Sequence, residues 1–428
     1  MTQPLRLGIA GLGTVGIGVV KIVKQQAALL AARTGREITI SAISARTRDK
    51  DRGVSLAGFA WEDDPVALAT RADVDVFVEL MGGSDGPAKA ATEAAIVAGK
   101  DVVTANKAML AIHGQALAEA AEAAGCVIRY EAAVAGGIPV IKTLTEGLAG
   151  NTITRVMGVM NGTCNYILTR MEATGQGYNT LFEEAHKLGY LEADPNLDVG
   201  GIDAGHKLAL LSSIAFGTRV DFDGIELEGI QRISLDDIRQ AADMGYKIKL
   251  LGVAQMTGRG LEQRMSPCLV PAASPLGQLE GGTNMVVIEG DAVGQIVIRG
   301  AGAGEGPTAS AVMGDVCDIA RGFRLSVFGQ PATSLTAAPR AQSVLPAPYY
   351  LRMTLRDKPG ALAKVAAILG NAGVSIHRMR QYDHVDDKAP VLIVTHKTTR
   401  SALDEALEAI AATDVVTDAP VALRIESV

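Results

Sequence analysis

The sequence predicts an α/β protein built from three consecutive parts. Short apolar strands alternate with helical stretches from residue 1 to about 139, which is typical of a doubly wound parallel sheet. From 140 to 304 this alternation gives way to clustered helices and then strands, which indicates an α+β domain. After residue 349 the order of elements is βαββαβ, the pattern of a ferredoxin-like unit.

The first part, residues 1–139, opens with the strand LRLGIA, and a glycine turn leads into a helix that continues through KIVKQQAALLAARTG. EITISAISAR predicts the second strand. VDVFVELMGG and KDVVTANKA predict two more buried strands with the helix GPAKAATEAAIVAGK between them, and GCVIRYEAAVAGGIP adds a last strand. Helical crossovers between parallel strands make this a Rossmann-like sheet.

The second part, residues 140–304, carries four predicted helices, at 140–149, 162–175, 180–188 and 203–216. Its short strands are predicted in NTITRVMGVMN, KIKLLGVAQM and NMVVIEGDAVGQIVIRG. The next helix, within 305–325, is a candidate to return to the first part. Residues 329–348 are rich in proline and lack periodicity, so they predict a linker before the unit at 349–428.

The overall charge limits the class of partner. With 40 Lys and Arg against 47 Asp and Glu the formal charge is -7, whereas nucleic-acid binders concentrate an excess of basic residues. The four cysteines stand far apart and form no CxxC pair, which indicates a reducing compartment. Glycines and lysines interrupt the apolar amino terminus, so we expect no signal peptide and no membrane span. The expectation is a cytoplasmic protein whose partners are small molecules or other protein chains, with no nucleic acid.

The turn GLGTVG indicates a dinucleotide site. Its glycines follow the first strand and precede the first helix with GxGxxG spacing, so the chain can turn tightly and let a pyrophosphate approach the backbone. Free N–H groups at the helix amino terminus favour that anion. The alternative is a glycine-rich packing turn. The residues predicted to contact the cofactor here are Gly11, Leu12, Gly13, Thr14, Val15 and Gly16.

The end of the second strand favours NADP over NAD. An NAD-selective fold usually places Asp or Glu there, to hold the ribose hydroxyls. This chain has Ala45 and Arg46 instead, and a guanidinium suits a 2'-phosphate through charge-assisted bonds. Arg48 is a weaker second candidate. The alternative is a solvated basic loop, and NAD remains possible.

The segment EADPNLDVGGIDAGHK, residues 192–207, gathers acids, glycines and one lysine. A calcium loop fails because the template needs glycine at the sixth place and glutamate at the twelfth, where this chain has Val199 and Gly205. A solvated loop that caps the next helix explains Asp203 and Lys207 as a surface pair. The helix that follows is so apolar that it must be buried, and a buried lysine is costly unless it has partners or transfers protons. The segment therefore favours a catalytic site.

Six segments in this order and spacing closely resemble homoserine dehydrogenase: GLGTVG, TANKA, YEAAVAGGIPVI, NGTCNYIL, GYLEADPNLDVGGIDAGHKLALL and GAGAGEGPTASAV. The resemblance covers essentially the whole chain, and it implies that 140–304 is the substrate-binding and dimerisation domain. The unit at 349–428 resembles an ACT regulatory domain, with DKPGALAKVAAILGNAGVSI as its characteristic stretch. This is the long bacterial arrangement.

The resemblance implies NAD(P)-dependent interconversion of L-homoserine and L-aspartate 4-semialdehyde, in the branch that leads to threonine and methionine. Lys207 would be the general acid/base and Lys107 the second lysine beside cofactor and substrate. Glu192 and Asp203 would hold the substrate, and Asp198 would touch the site. Weaker implied cofactor contacts are Gly82, Thr104, Gly189 and Gly304.

The resemblance also implies a monovalent cation, usually sodium in the family, held mainly by main-chain oxygens between the domains. The matching positions are Glu131, Val134, Gly136 and Ile138. The residues themselves predict only a glycine-containing crossover. For the ACT unit the resemblance implies threonine as a feedback inhibitor bound near RDKPG, and for the whole protein a homodimer or homotetramer.

Two other functions stay open at this level. Cys164 in NGTCNY suggests a semialdehyde dehydrogenase with a thiolate nucleophile, although that mechanism needs a histidine base near the thiol. Only His186 and His206 lie close in sequence, and His206 is expected to be a helix residue near the site. The ACT-like unit suggests instead an amino-acid sensor that uses the Rossmann part as a scaffold.

Overall fold

The computed structural model describes residues 3–191, 194–341, 345–382 and 387–427. Its first domain is a sheet of six parallel strands in the order β3-β2-β1-β4-β5-β6, which confirms the predicted doubly wound fold. The strands are β1 (Leu5–Ala10), β2 (Ile38–Ser44), β3 (Ala60–Trp61), β4 (Val76–Glu79), β5 (Asp101–Thr104) and β6 (Ile128–Arg129). The helices are α1 (Thr14–Gln25), α2 (Ala27–Thr34), α3 (Pro65–Thr70), α4 (Pro87–Val97) and α5 (Lys107–Ala123). The strand order reverses between β1 and β4, and ligands of such sheets bind at that point.

The first helix differs from the prediction. The sequence predicts one helix from the glycine turn to Gly35, whereas the structure bends by 80° at Gln26 and forms α1 and α2. The bend returns Leu30 to the same apolar core that buries Val20 and Val23, so an uninterrupted helix would carry Leu30 away from that core. Among the described residues no single helix has the length and apolar composition of a membrane span; only α1 and α2 taken as a bent pair meet those criteria.

The second domain has helices on one mixed sheet. Its strands are β7 (Ile153–Val159), β8 (Glu226–Leu227), β9 (Tyr246–Thr257), β10 (Gly260–Pro271), β11 (Thr283–Gly290) and β12 (Gly294–Ala301). Its helices are α6 (Val140–Lys142), α7 (Gly162–Thr174), α8 (Tyr178–Lys187), α9 (Pro195–Val199), α10 (Ile202–Phe216) and α11 (Leu235–Asp243). The helix predicted over 140–149 is shorter, because after α6 the turns widen to a π-helix over Thr143–Gly147.

Four elements of this domain were not predicted from the sequence: strands β8 and β10 and helices α9 and α11. Strand β10 was missed because its sequence carries Glu262 and Arg264, which look like surface residues but are buried and paired with each other. Helices α9 and α11 were missed because they are short. Helix α11 begins with a capping box of Ser234 and Asp237, a recognisable helix start.

Helix α12 (Glu305–Arg321) packs on the first domain, against α1. Gly18 of α1 allows the close approach, because a Cβ there would lie 2.7 Å from the carbonyl oxygen of Glu305. Lys21 and Glu305 form an ion pair at 2.7 Å, and the two helices share one apolar core. The chain thus enters the second domain at about residue 139 and comes back through α12.

The carboxy-terminal unit has the predicted βαββαβ order: β13 (Tyr349–Arg356), α13 (Ala361–Asn371), β14 (Ile376–Gln381), β15 (Lys388–Thr395), α14 (Arg400–Ala411) and β16 (Val421–Ile425). Strand β16 pairs in parallel with β10, so this unit extends the sheet of the second domain to ten strands. Buried ion pairs support the junction, where Arg264 and Arg424 both contact Glu426. The connection before it contacts β10, since Pro339 and Ala341 hydrogen-bond to Leu261.

Candidate active site

A cavity of about 620 Å³ lies where the first and second domains meet. Its walls come from the glycine turn before α1, the start of α5, the crossover 131–139, the starts of α7 and α10, and the turn before α12. The predicted site residues that line it are Thr14, Val15, Lys107, Val134, Gly189, Asp198, Asp203, Lys207 and Gly304. The fold therefore brings residues that are far apart in sequence to one cavity. A cavity lined by several convergent polar groups is the first candidate for a ligand site.

Asp203 lies between two lysines from different domains. One carboxylate oxygen accepts from the Lys207 ammonium at 2.7 Å, and the other lies 2.8 Å from the Lys107 ammonium. Lys207 is one turn along α10 from Asp203, and Lys107 opens α5, directly after strand β5 and its cap Asn106. Lys207 also donates to the main-chain carbonyl of Met160 at 2.9 Å.

The alternative of a solvated surface pair for Asp203 and Lys207 is wrong, because both side chains are buried. The exposed fraction is 6% for Asp203 and 9% for Lys207. Burial alone would raise the pKa of the Asp203 carboxyl, but the ammonium groups of Lys207 and Lys107 lower it well below its usual range. Asp203 is therefore a carboxylate that fixes two cations inside a largely enclosed site.

Asn161 organises the acids beside this pair. Its side-chain oxygen caps α7 by accepting from the Cys164 amide at 2.8 Å, and its Nδ2 donates to Asp198 at 3.1 Å. Asp198 is buried at 5% exposure and lines the cavity. Asp194 is exposed instead and caps α9 through the Asn196 amide, so the two acids have separate places.

The thiol of Cys164 does not suit a nucleophile. Cys164 is fully buried, and its thiol donates to the carbonyl of Asp198 at 3.3 Å. Burial raises the pKa of this thiol well above its usual value, and the charges of Asp198 and Asp203 add to that effect. His206 packs its ring on Phe222 at 4.3 Å between centroids, and burial lowers its pKa. Neither side chain therefore supports the alternative of a thiolate-dependent semialdehyde dehydrogenase.

The glycine turn has the geometry of a phosphate cradle. Gly11 has φ of +99°, and a Cβ at Gly16 would lie 2.0 Å from the Gly11 carbonyl oxygen, so both positions require glycine. A Cβ at Gly13 would meet open space, and Gly13 caps α1 without any side-chain hydrogen bond. The amino terminus of α1 is thus open to an anion.

A second cavity of about 590 Å³ continues from this turn along the end of β2. Gly11, Leu12 and Gly13 line it together with Arg46 and Gly82, as predicted for cofactor contacts. Two further basic residues, Lys50 and Arg52, also line it. Arg48 instead lies over the Trp61 ring at 5.6 Å and is not part of this lining.

Thr104 lines neither of the two cavities and instead joins a buried hydrogen-bond network. Its hydroxyl donates to Glu79 at 2.6 Å and accepts from the Asn106 amide at 2.9 Å. Glu79 in turn accepts from the amides of Met81 and Gly82. This buried network holds the ends of β4 and β5 together, so Thr104 shapes the loops that carry Gly82 and Lys107.

The crossover between the domains contains the positions matched to a cation site. Glu131 is buried, and its carboxylate accepts from the amides of Ile141 and Lys142 at 2.8 and 2.9 Å. Burial, with Asp315 nearby, raises the pKa of Glu131 to about 7. Gly136 has φ of +57°, and a Cβ there would lie 2.3 Å from the Gly302 carbonyl oxygen. Val134 and Ile138 are buried beside it, and in the described part of the chain no three His, Cys, Asp or Glu side chains gather as metal ligands.

Several polar and aromatic residues line the main cavity without having been predicted: Asn161, Thr163, Tyr166, Tyr190, Asn284 and Thr308. The motif NGTCNY offered a signal, because an asparagine that caps a helix at a domain junction lies where ligands bind. Asn284 offered none, since it lies within an apolar strand. The predicted substrate residue Glu192 lies outside the described residues.

Three family profiles match consecutive parts of the chain. The profile described as "Homoserine dehydrogenase, NAD binding domain" matches residues 11–131, "Homoserine dehydrogenase" matches 139–317, and "ACT domain" matches 349–414. Among curated proteins, homoserine dehydrogenase of Neisseria gonorrhoeae is 42% identical over 99% of both chains. That of Mycobacterium tuberculosis is 42% identical over 99% of this chain and 98% of the relative.

Solved structures agree with these matches over the full length. A homoserine dehydrogenase from Thiobacillus denitrificans superposes with a TM-score of 0.94 at 38% identity, covering 99% of both chains. That of S. aureus covers 100% of both chains with a TM-score of 0.77 at 27% identity. A hyperthermophilic archaeal homoserine dehydrogenase in complex with NADPH covers 75% of this chain and 99% of its own, with a TM-score of 0.64 at 26% identity.

Proposed function

This chain belongs to the homoserine dehydrogenase family, and from that premise we propose how its own residues carry the reaction. It is an oxidoreductase with an NAD-binding domain, a catalytic domain and an ACT domain. We propose that it interconverts L-homoserine and L-aspartate 4-semialdehyde in the main cavity, with Lys207 as the residue that moves the proton. The observation that carries this proposal is the buried Lys207–Asp203–Lys107 arrangement next to the glycine turn.

The substrate's charges match the residues of the cavity. Homoserine carries an ammonium group, for which Asp198 of the cavity is the proposed partner together with Glu192, which lies outside the described residues. It also carries a carboxylate, which needs a cation or amide donors. Its hydroxyl must lose a proton when the alcohol is oxidised, and the Lys207 amine is the proposed acceptor. In the reducing direction the ammonium groups of Lys207 and Lys107 stabilise the developing alkoxide. Asp203 contributes by holding both lysines in place, as its two ion pairs support.

The bound dinucleotide supplies the hydride acceptor or donor. The glycine turn would hold its pyrophosphate on the open amino terminus of α1, where Gly13 leaves space. We propose NADP as the preferred form, because Arg46, Lys50 and Arg52 line the cavity that extends from this turn. The NADPH complex of the archaeal relative is consistent with this preference.

We also propose that a monovalent cation, sodium in the first instance, stabilises the crossover. The Glu131 carboxylate already accepts hydrogen bonds from the amides of Ile141 and Lys142. The proposed cation ligands are therefore main-chain oxygens, those of Glu131, Val134, Gly136 and Ile138. Hard cations bind oxygen ligands, and main-chain carbonyl oxygens are among them. Such a cation would be structural, because its place is the hinge of the domains rather than the lysine pair.

For the ACT domain we propose feedback inhibition by threonine. The loop RDKPG between β13 and α13 is the proposed binding place, where Gly360 has φ of +86°. An enzyme of this kind acts in threonine and methionine biosynthesis, and we propose a cytoplasmic location and a homodimeric or homotetrameric assembly. A purely sensory role finds no support, because the lysine pair would have no function in a sensor.

The test is an assay of the purified protein with L-homoserine and either NADP or NAD, with and without threonine. We expect oxidation with both cofactors at saturation and a lower KM for NADP. Lys207→Ala should lose about 100-fold or more in kcat and retain dinucleotide affinity, because it removes the proton-transfer group and leaves the glycine turn unchanged. Lys89→Ala on the surface of α4 is the control that keeps full activity. No activity in the wild type, or a fully active Lys207→Ala, would contradict the assignment.

A further inference from the structure

Two side chains share one main-chain carbonyl at the wall of the active site. The Met160 oxygen accepts from the Lys207 ammonium at 2.9 Å and from Nδ2 of Asn284 at 3.1 Å. Met160 follows directly after β7, and Asn284 is the second residue of β11. These strands pair antiparallel with Met285 opposite Val159, so the sheet register places the amide beside that carbonyl.

The amide of Asn284 is enclosed on its other side. Asn284 is 1% exposed and packs against Gly302, where a Cβ would lie 2.0 Å from Nδ2. Its Oδ1 is also buried, and no partner for it is found among the described residues. Burial of an unpaired amide oxygen is unfavourable, and a leucine of similar size would avoid it. Stability therefore does not account for an asparagine at this position.

We propose that Asn284 is a positioning residue for Lys207, acting through the Met160 carbonyl. This inference rests on the proposed proton-transfer role of Lys207. The ammonium of Lys207 has two anchors, the Asp203 carboxylate and the Met160 oxygen. Asp203 is on the same helix as Lys207, whereas Met160 belongs to the sheet. Asn284 thus fixes the anchor that sets where the lysine lies relative to the sheet and the cavity.

A neutral donor suits this place better than an acid. The site already holds the carboxylate of Asp203 between two lysines and the acid Asp198 nearby. An additional carboxylate next to Met160 would favour the protonated form of a neighbouring amine. Asparagine supplies the hydrogen bond without changing the charge of the site.

The first test is a pair of substitutions at Asn284. Asn284→Leu keeps the size but has no donor, and we expect kcat for homoserine oxidation to fall about 10- to 100-fold with the KM for dinucleotide within about twofold, because only the lysine's position changes. Asn284→Asp should also move the ascending limb of kcat against pH to higher pH, since a base that is held protonated needs a higher pH to act. Gln263→Met is the matched control, because Gln263 is also buried, donates its Nε2 to the main-chain carbonyl of Asp221 at 3.1 Å, has no partner for its Oε1 among the described residues and does not line the cavity.

A second substitution disturbs the hydrogen bond between Asn284 and Met160 without replacing Asn284 itself. Gly302→Ala would push the amide away from Met160, and Gly302 does not have a positive φ, so the backbone tolerates alanine. We expect a loss of kcat of the same order as in Asn284→Leu. Gly147→Ala, where a Cβ meets open space, is the control.

The outcomes separate this inference from the proposed function. If Lys207→Ala is inactive while Asn284→Leu and Gly302→Ala have wild-type kcat, the positioning role is wrong and the function stands. If Asn284→Asp loses rate with an unchanged pH profile, or Gln263→Met loses as much kcat as Asn284→Leu, the effect is only structural and the inference is overturned. If Lys207→Ala is fully active, the proposed function fails first.

Discussion

Replacement of Asp203 by asparagine should lower both the stability of the folded protein and its catalytic activity. Asp203 accepts from Lys207 at 2.7 Å and from Lys107 at 2.8 Å, and it is 6% exposed. A hydrogen bond to a charged group contributes about 1.5–3 kcal/mol, so the two together contribute about 3–6 kcal/mol. The amide oxygen of asparagine keeps roughly one of them, which leaves a net loss of about 1.5–3 kcal/mol.

The loss is measurable as a lower melting temperature. For a cooperative unit of 150–250 residues, 1 kcal/mol corresponds to about 2–4 °C, so Asp203→Asn should melt roughly 3–12 °C lower. The folded-state pKa of Asp203 is below its ordinary value of 3.8, so its stabilising effect is complete above that value and is lost as the pH falls through the folded-state pKa. The difference between the two proteins should therefore persist at neutral pH and narrow in strong acid.

The same variant should lose about 100-fold or more in kcat/KM for homoserine, since both lysines lose their shared acceptor. Asp194→Asn is the control within the same acidic segment, because Asp194 is exposed and asparagine caps a helix about as well as aspartate. The reasoning is refuted if Asp203→Asn melts and reacts like the wild type, or if Asp194→Asn is equally impaired.

Two further changes test other parts of the structure. Arg46→Ala should lower the preference for NADP over NAD by about 10-fold or more, measured as the ratio of kcat/KM values, because it removes a charged contact to a 2'-phosphate; Arg48→Ala, which lies outside that cavity, should leave the ratio unchanged. Burial lowers the pKa of Lys249 from 10.5 to about 8, which disfavours the folded state by about 3 kcal/mol below pH 8 and is relieved as the pH rises toward 10.5. The melting temperature of Lys249→Met relative to the wild type should accordingly fall between pH 8 and 10; a constant difference would contradict the burial of a charged lysine.

Local signals explain why most of the fold was predictable. The parallel sheet followed from apolar strands that alternate with helices, and the glycine turn was recognisable because Gly11 and Gly16 have a steric requirement that other residues do not meet. Strand β10 was not predictable in this way. Glu262 and Arg264 look like surface residues, and their burial depends on ion pairing that includes Glu426 from a distant segment. The bend at Gln26 likewise depends on packing that no local pattern contains.

The active site was predictable only where its contacts are local in sequence. Asp203 and Lys207 are four residues apart on one helix, so their pairing follows from helical spacing, and the burial of that helix follows from its apolar residues. The second partner of Asp203 does not follow from spacing, because Lys107 is about a hundred residues away in another domain. Asn284 was invisible because its role depends on the register between β7 and β11.

The place of Asp203 between two domains also constrains how the active site assembles. Lys107 begins α5 of the dinucleotide-binding domain, whereas Asp203 and Lys207 belong to α10 of the catalytic domain. The cofactor-side lysine and the proton-transfer lysine therefore share one carboxylate only while the two domains are in contact. Because α12 returns the chain to α1 and residues 131–136 of the crossover are buried, two covalent connections hold that contact. A substitution that loosens either connection should impair the lysine pair before it impairs dinucleotide binding, because most of the proposed cofactor contacts, including the glycine turn, belong to the first domain.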